Sequence, residues 1–255
     1  MAELKTRRSE QYGHARLDFA VPGGKGFVIL PAHESPADGG PWVWYAPSFV
    51  GGEKPLPKAL HAWYMEPLLG AGFAVAGVDV GESWGSPAGR TVYGDFHRVV
   101  VEEFALARRA CLFAQSRGGL MHYNWATEHP ERVRCIGAIY PVTDVTRPER
   151  LDVVSAAYGL RPRELLGNLA DHNPLDRLAP LAAEGVPILH LHGDQDEPVP
   201  LETNSVEFER RYGQLGGPMK LIVIPGKGHE EVPEYFEHRA LLDFFLSQGE
   251  TVARA

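Results

Sequence analysis

A serine, a carboxylate and a histidine follow one another along this chain, each just past an apolar run. They are Ser116, Asp196 and His229, and each stands in a short segment that contains glycine or proline. A serine hydroxyl is a weak nucleophile at neutral pH unless a histidine takes its proton and a carboxylate orients the imidazole. The three side chains therefore predict nucleophilic catalysis, with a Ser-His-Asp triad attacking an acyl carbon.

Ser116 lies where a strand is expected to turn sharply into a helix. Residues 111–114 are apolar, and Gly118 leaves room for a tight turn two positions after the serine. Ala114 stands two positions before the serine, where the pattern G-x-S-x-G has a glycine. The competing interpretation is that Ser116 only caps the helix that follows it, a common role for serine there.

His229 is the histidine that we expect to act as the base, out of eleven in the chain. It follows an apolar strand at residues 221–224 through a Pro-Gly-Lys-Gly turn, which places it at the same sheet edge as the serine. Two aspartates of one loop compete for the third role; we favour Asp196 and expect Asp194 to organise the turn. Asp144, which follows another strand, is a further rival.

An α/β fold must position these residues, because strand-like and helix-like segments alternate along most of the chain. Right-handed crossovers between such strands give a mostly parallel sheet whose carboxyl ends meet at one edge. We predict one domain over residues 1–255, with eight strands, helices on both faces and a small cap inserted at about 143–178. The predicted strands cover 15–21, 26–30, 42–46, 73–79, 110–114, 133–140, 186–191 and 220–224, with a loop at 36–41. The predicted helices cover 58–69, 96–106, 117–128, 148–158, 162–169, 201–212 and 232–246.

Composition argues against several classes of partner. The formal charge of −8 and the absence of a long basic run argue against a nucleic-acid binder, and the basic stretch at 5–8 is predicted to be a solvated tail. Apolar stretches are strand-sized, well below the roughly 20 residues of a membrane helix, so no membrane partner is expected. The start of the chain lacks a secretory h-region, which predicts a cytoplasmic location. Cys111 and Cys135 are expected to be buried thiols, and neither a metal nor another cofactor is predicted.

The chain resembles the α/β-hydrolase superfamily, and within it the esterases and the catalytic domains of prolyl-oligopeptidase type. The stretch H-G-D-Q-D-E-P-V-P at residues 192–200 carries the resemblance most specifically, and N-P-L-D-R-L at 173–178 adds to it. The resemblance covers nearly the full length and implies the α/β-hydrolase fold. It also places the acid on the loop that holds Asp196.

The same resemblance implies an oxyanion hole made of two backbone N–H groups. One belongs to the residue after the nucleophile, here Arg117, and the other to the loop after the strand at 42–46. By that correspondence the second donor is Phe49, with Ser48 as the alternative, since Pro47 has no N–H. Such donors stabilise the oxyanion of the tetrahedral intermediate.

Arg117 also brings a charged side chain beside the nucleophile. The guanidinium could bind a substrate carboxylate or pair with an internal acid, and Glu82 follows the strand at 73–79 within reach. We favour the internal pair and assign Glu82 and Trp84 to the substrate-binding part of the site. Trp84 is expected to form a pocket wall, whereas the other tryptophans are expected in the core.

The predicted activity is hydrolysis of a small or soluble carboxylic ester through an acyl-enzyme. A carbohydrate O-acyl ester is one candidate substrate. Peptide-bond cleavage of the prolyl-oligopeptidase type is an alternative and would require an acidic or aromatic clamp for a peptide terminus, for which Glu82 is the only candidate. A ligand receptor on the same fold, or a lyase using the same triad, is a further alternative. The substrate is expected to be a small molecule, and the oligomeric state stays open.

Overall fold

Nine strands of the described residues form one sheet in the order β1-β2-β3-β5-β4-β6-β7-β8-β9. The computed structural model describes residues 4–32, 39–52 and 55–250, so residues 36–38 of the loop predicted at 36–41 lie outside it. The first three strands and β5 pair antiparallel, and every pair from β5 through β4 to β9 is parallel. The strands are β1 (Thr6–Gln11), β2 (His14–Val21), β3 (Gly24–Ile29), β4 (Trp42–Ala46), β5 (Ala74–Asp79), β6 (Ala110–Gln115), β7 (Val133–Ile139), β8 (Ile188–Gly193) and β9 (Met219–Ile224).

The mostly parallel sheet is confirmed, but the prediction of eight strands is wrong by one. The additional strand is β1, which pairs antiparallel with β2 from Thr6↔Phe19 to Gln11↔His14. Its residues are almost all exposed, and the sequence TRRSEQ contains no apolar alternation that could have indicated a strand. Main-chain hydrogen bonds at a sheet edge hold β1, so a segment expected to be a solvated tail is ordered.

Helices cover both faces of the sheet. They are α1 (Ala62–Gly70), α2 (Pro87–Glu103), α3 (Gly118–Glu128), α4 (Pro148–Ala157), α5 (Pro162–Gly167), α6 (Leu169–His172), α7 (Ala179–Ala183), α8 (Glu207–Gln214), α9 (Pro233–Phe236) and α10 (Arg239–Glu250). The helix α2 begins nine residues before its predicted start, because Ser86 caps it and Pro87 suits its first turn. The helix predicted at 232–246 is two helices, and that at 201–212 opens with a π-helical turn, Glu202–Val206.

Alternation along the central strands divides the core between the two faces. On β4, Trp42 and Trp44 pack in one apolar layer, and Val43 and Tyr45 pack in the other. Both sets are fully buried, as expected for a parallel strand with helices above and below it. The strand order reverses at β4, which lies between β5 and β6. Loops at the carboxyl ends of strands around such a reversal diverge and leave a crevice.

The segment between β7 and β8 carries α4 to α7 and its own apolar cluster. That cluster combines Trp84 and Leu120 with Val154, Tyr158 and Leu165 of the segment. The division into one domain with an inserted cap stays a prediction. Within the described ranges, no helix has the length and apolar character that crossing a bilayer requires.

Candidate active site

Ser116 occupies a strained turn between β6 and α3. Its φ is +52°, in the left-handed region that side chains other than glycine rarely adopt. Its N–H donates to the carbonyl of Ile139 at 3.1 Å, which fastens the turn to the neighbouring strand. A Cβ atom at Gly118 would collide with the carbonyl of Ala46, so only glycine fits two positions after the serine. Ala114 is fully buried inside β6, so the departure from G-x-S-x-G falls within the strand and leaves the turn intact.

The structure brings the three predicted side chains into one hydrogen-bonded line. Ser116 Oγ lies 2.9 Å from His229 Nε2, and His229 Nδ1 lies 2.8 Å from Asp196 Oδ2. The second carboxylate oxygen of Asp196 accepts the N–H of Val199 at 2.7 Å. A neutral imidazole satisfies this geometry when Nδ1–H donates to Asp196 and Nε2 accepts the serine proton. That arrangement is chemically competent for general-base activation of a hydroxyl.

Asp196 is ionised although it is only 5% exposed. Burial by itself raises the pKa of this carboxyl, but the hydrogen bonds from His192, His229 and the N–H of Val199 outweigh it. The balance lowers the pKa of Asp196 to about 2, so the carboxylate is charged at neutral pH. A buried anion beside the imidazole stabilises its protonated form.

Neither rival aspartate contacts a histidine within the described chain. Asp194 accepts the N–H of Gly226 at 2.7 Å and so ties the loop after β8 to the loop after β9. Asp144 accepts the N–H and the hydroxyl of Thr146 at 2.9 and 2.8 Å. Asp194 therefore organises the loops, as predicted, and Asp144 stabilises its own turn.

The loop that carries His229 is held by contacts with the Asp196 loop. The N–H of Gln195 donates to the carbonyl of Lys227 at 2.9 Å, and the hydroxyl of Tyr235 donates to the carbonyl of Gly228 at 3.0 Å. A Cβ atom at Gly193 would collide with the carbonyl of Lys227, so the two loops approach closely only because glycine ends β8. This packing positions the imidazole over the serine.

A cleft of 370 Å³ opens beside the serine. Its lining consists of Pro47, Phe49, Leu56, Lys58, Gln115, Ser116, Arg117, Tyr140, His229 and Glu231. Ser48 is not part of this lining, because its hydroxyl donates to the carbonyl of Tyr45 at 2.5 Å and the residue is buried. The N–H of Val50 donates to Asp79 at 3.2 Å, which braces the loop that carries Phe49.

The charged side chains that line the cleft are paired with each other or with nearby groups. The predicted ion pair between Arg117 and Glu82 is present, with 3.2 Å between its nitrogen and oxygen. The same guanidinium lies over the ring of Phe49, 5.1 Å from the centroid. Two further residues of the lining, Lys58 and Glu231, pair with each other at 2.6 Å. The cleft therefore presents compensated charges to a ligand.

Trp84 does not line the cleft at Ser116, contrary to its expected role as a pocket wall. Its φ is +51° and its carbonyl accepts the hydroxyl of Tyr158 at 2.9 Å. These constraints turn the ring into the apolar cluster beneath α4, where it is 6% exposed and Arg150 lies over it. Trp84 does follow β5 in the chain, but its backbone conformation directs the ring away from the cleft.

Sequence reasoning missed a buried network behind the acid. The acid-side network consists of Tyr123, His190, Ser205, His192 and Asp196. Tyr123 Oη lies 2.5 Å from His190 Nε2. Ser205 Oγ lies 2.8 Å from His190 Nδ1 and 2.7 Å from His192 Nδ1. His192 Nε2 lies 3.5 Å from Asp196 Oδ2. The carbonyl of Val199, 2.8 Å from His192 Nε2, accepts only, so that nitrogen carries the proton.

The other proton positions in the acid-side network follow from the proton on His192 Nε2. With Nε2–H of His192 donating, Nδ1 accepts the single hydroxyl proton of Ser205. Ser205 Oγ then accepts from His190, whose other nitrogen accepts the Tyr123 hydroxyl. The H-G-D motif contains His192, but no sequence signal pointed to Ser205 or Tyr123.

The chain is similar to known proteins in sequence and in fold. A sequence model described as the prolyl oligopeptidase family matches residues 95–250, a range that contains Ser116, Asp196 and His229. No curated protein sequence matches the chain. Among solved structures, the chain is similar to a truncated carbohydrate esterase from gut microbiota, with a TM-score of 0.71, 18% identity and 96% of each chain covered.

Two further structures are similar at comparable levels. An S-formylglutathione hydrolase from Agrobacterium tumefaciens has a TM-score of 0.71 and 15% identity, with 96% of this chain and 98% of that chain covered. A puromycin-hydrolyzing peptidase from Mycobacterium tuberculosis has a TM-score of 0.68 and 16% identity over 96% of this chain but 39% of that chain. The chain thus spans about two fifths of that peptidase. These similarities confirm the predicted α/β-hydrolase fold.

Proposed function

The chain belongs to the prolyl oligopeptidase family of α/β-hydrolase-fold serine hydrolases, and we propose that it cleaves a small neutral carboxylic ester through an acyl-enzyme on Ser116. The observation that carries this proposal is the line from Ser116 through His229 to Asp196, with 2.9 and 2.8 Å between successive atoms. The positive φ of Ser116 adds support, because strained backbone persists at sites where it aims a reacting group.

The proposed reaction begins with attack of Ser116 Oγ on the ester carbonyl. His229 Nε2 takes the hydroxyl proton, and the ionised Asp196 orients the imidazole and stabilises its charged form. His229 then gives the proton to the departing alcohol, leaving the acyl group on Ser116. Water activated by the same nitrogen releases the acid and restores the serine.

The N–H groups of Phe49 and Arg117 are the proposed donors to the oxyanion. Both residues line the cleft beside Ser116, and neither N–H donates to another group of the described chain. Ser48, whose N–H is the alternative donor, is buried, has its hydroxyl bonded to the carbonyl of Tyr45, and does not line the cleft. Each such donor contributes roughly 10²- to 10³-fold to the rate of acyl transfer.

The compensated charges of the cleft support a neutral ester over a peptide. A peptide terminus carries a charge, and binding it inside a cleft requires an uncompensated partner of opposite sign. Glu82, the acid considered as a peptide clamp, is instead paired with Arg117, and Glu231 is paired with Lys58. A carbohydrate O-acyl ester remains a proposed substrate, in line with the similarity in fold to a carbohydrate esterase.

Peptidase activity is the second candidate function, and the family match favours it. The chain is also similar in fold to part of a puromycin-hydrolyzing peptidase. The cleft and its proposed donors would serve an amide carbonyl as they serve an ester. The two candidates differ in the leaving group, since an amine must be protonated more completely before it departs.

A panel of short esters and matched amides tests the proposal. We expect acetate esters to be hydrolysed by the wild type, with Ser116→Ala reducing kcat by at least about 10⁴-fold. A fluorophosphonate probe should label the wild type and leave Ser116→Ala unlabelled. Preference for amides would favour the peptidase, and absence of both turnover and labelling would favour the non-catalytic receptor. The cytoplasmic location and the absence of a nucleic-acid partner stay predictions.

A further inference from the structure

Tyr140 is the second strained residue at the site, directly after β7. Its φ is +35°, a conformation that is unusual for a bulky side chain. The N–H of Tyr140 donates to the carbonyl of Leu191 at 2.7 Å, which holds the backbone in this position. As a result the phenol ring lies against the imidazole of His229, with 4.2 Å between centroids. The ring of Tyr235 also packs edge-on against Tyr140, with 4.9 Å between centroids.

A second buried network ends at the Tyr140 hydroxyl. The cleft-side network consists of His61, Tyr45, Gln115 and Tyr140, and its proton positions follow from His61. His61 Nδ1 accepts the N–H of Lys58 at 2.8 Å, so a neutral imidazole carries its proton on Nε2. Burial lowers the pKa of His61, which keeps the ring neutral. The Nε2–H group faces Tyr45 Oη at 3.0 Å and Gln115 Oε1 at 3.1 Å.

This proton determines the orientation of the Gln115 amide. The amide oxygen must face His61 Nε2–H, and it also accepts the hydroxyl of Tyr45 at 2.6 Å. The reversed amide would place its NH₂ group against the N–H of His61, donor against donor. The NH₂ group therefore faces the other way and donates to Tyr140 Oη at 3.0 Å.

The Tyr140 hydroxyl is left with an unused proton. Its oxygen accepts from Gln115, and in the described part of the chain no acceptor is bonded to its O–H group. Burial raises the pKa of Tyr140, so the hydroxyl remains a donor at neutral pH. Both Tyr140 and Gln115 line the cleft beside Ser116, so a ligand bound there is the candidate acceptor for this proton.

We infer that the Tyr140 hydroxyl donates a hydrogen bond to a second oxygen on the leaving alcohol of the substrate. We assign this contact to the alcohol part of the ester and not to its acyl part, because Tyr140 packs against His229, the imidazole that protonates the departing alcohol. The favoured esters are those of polyols, sugars or ether alcohols, in which an oxygen lies near the ester. This inference rests on the proposed ester hydrolysis and names its substrate class.

Methoxyethyl acetate and butyl acetate form a matched pair for the test. The two alcohols have the same length, and only the first carries an oxygen where the second has a methylene. Both produce the same acetyl-enzyme, so deacylation cannot separate them. The ratio of their kcat/KM values, compared between wild type and variant, cancels the difference in intrinsic reactivity.

We expect Tyr140→Phe to lower this ratio by about three- to tenfold, the effect of one neutral hydrogen bond. Tyr158→Phe is the matched control, because it removes a buried tyrosine hydroxyl that donates to Trp84 outside the cleft. The control should keep the wild-type ratio. An unchanged ratio in Tyr140→Phe would overturn the inference, as would an equal change in Tyr158→Phe.

Gln115→Glu provides a second test that keeps the hydroxyl in place. A carboxylate there has no N–H to donate, so it accepts the Tyr140 proton and draws it away from the cleft. The ratio should fall as in Tyr140→Phe, and an unchanged ratio would contradict the proposed proton position. A wild type that hydrolyses neither ester and takes up no fluorophosphonate would instead refute the ester hydrolysis itself.

Discussion

The acid-side network and the cleft-side network approach His229 from opposite faces of the sheet, and they end differently. The acid-side network runs from Tyr123 to Asp196 and every one of its protons has an acceptor. The cleft-side network runs from His61 to Tyr140 and ends with a proton that no described residue accepts. Both consist of fully or largely buried side chains, so burial does not account for the difference.

The difference indicates a division of labour around the proposed nucleophile, Ser116. A closed network holds a charge in one place, since each partner fixes the next and no group needs a ligand. An open network presents a donor whose orientation is fixed in advance, which is what recognition of a substrate atom requires. Variants of each network can therefore be separated by what they change: turnover and stability on one side, choice of substrate on the other.

Asp196→Asn should produce the largest effect, because it breaks the closed network at the imidazole. The amide cannot accept from His229 and from His192 as the carboxylate does, so the imidazole loses both its orientation and its stabilised charge. We expect kcat to fall by about 10³- to 10⁴-fold at neutral pH. Asp194→Asn is the matched control on the same loop, and its amide oxygen can still accept the N–H of Gly226. A similar loss in both variants would show that the loop, not the carboxylate, is responsible.

The same substitution should remove a pH-dependent part of the stability. The folded pKa of Asp196 is about 2 against a reference of 3.8, which corresponds to about 2 kcal/mol of stabilisation. Because the pKa is lowered by folding, this stabilisation is present above pH 4 and is lost as the pH falls through 2. Denaturant unfolding between pH 5 and acid conditions, on wild type and Asp196→Asn, measures the difference. Equal pH dependence in both proteins would contradict the assignment.

Ser205→Ala should produce the next-largest effect, because it removes the hydroxyl that links His190 to His192 in the acid-side network. His190 Nδ1–H and His192 Nδ1 would both lose their partner in a fully buried place. We expect the free energy of unfolding to fall by about 1–3 kcal/mol, the usual cost of unsatisfied buried polar groups. Ser155→Ala is the control, since among the described residues the hydroxyl of that buried serine bonds only the carbonyl of Asp152, one helical turn away. Equal destabilisation of the two variants would remove the special role of the network.

The positions of the three proposed triad residues were predictable because local sequence determines them. Ser116, Asp196 and His229 each stand in a short loop after an apolar run, and parallel strands bring such loops to one edge. The same logic recovered the pairing of Arg117 with Glu82, whose loops follow strands β6 and β5 at that edge. Periodicity and chain order sufficed for these positions.

The supporting residues were not predictable from the same signals. Tyr123 and Ser205 meet His190 only because α3 and the π-helical turn pack on the same face of β8. Trp84 and Tyr140 are directed by positive φ angles, which no composition rule assigns to aromatic residues. Their roles depend on tertiary packing, and that information is spread over the whole chain.

Glu82→Gln should produce the smallest effect. It extends the comparison of closed and open networks, because it breaks the ion pair between Arg117 and Glu82 and leaves Arg117 without that partner. Arg117 would lose its partner at 3.2 Å and present an unpaired guanidinium beside Ser116. Since the pair is partly exposed, we expect only a gain of about two- to fivefold in kcat/KM for an acetate ester whose alcohol carries a carboxylate, relative to butyl acetate.

Two controls make the Glu82→Gln experiment specific. Glu131→Gln removes an exposed acid of the same charge from its ion pair with Arg132, and neither residue lines the cleft. This variant should leave the preference between the charged ester and butyl acetate unchanged. High salt should abolish the gain in Glu82→Gln, because an exposed guanidinium is screened beyond a few ångströms. A gain that also occurs in Glu131→Gln would trace the effect to net charge. No gain in either variant would mean that Arg117 is held away from the substrate by Phe49, over whose ring it lies.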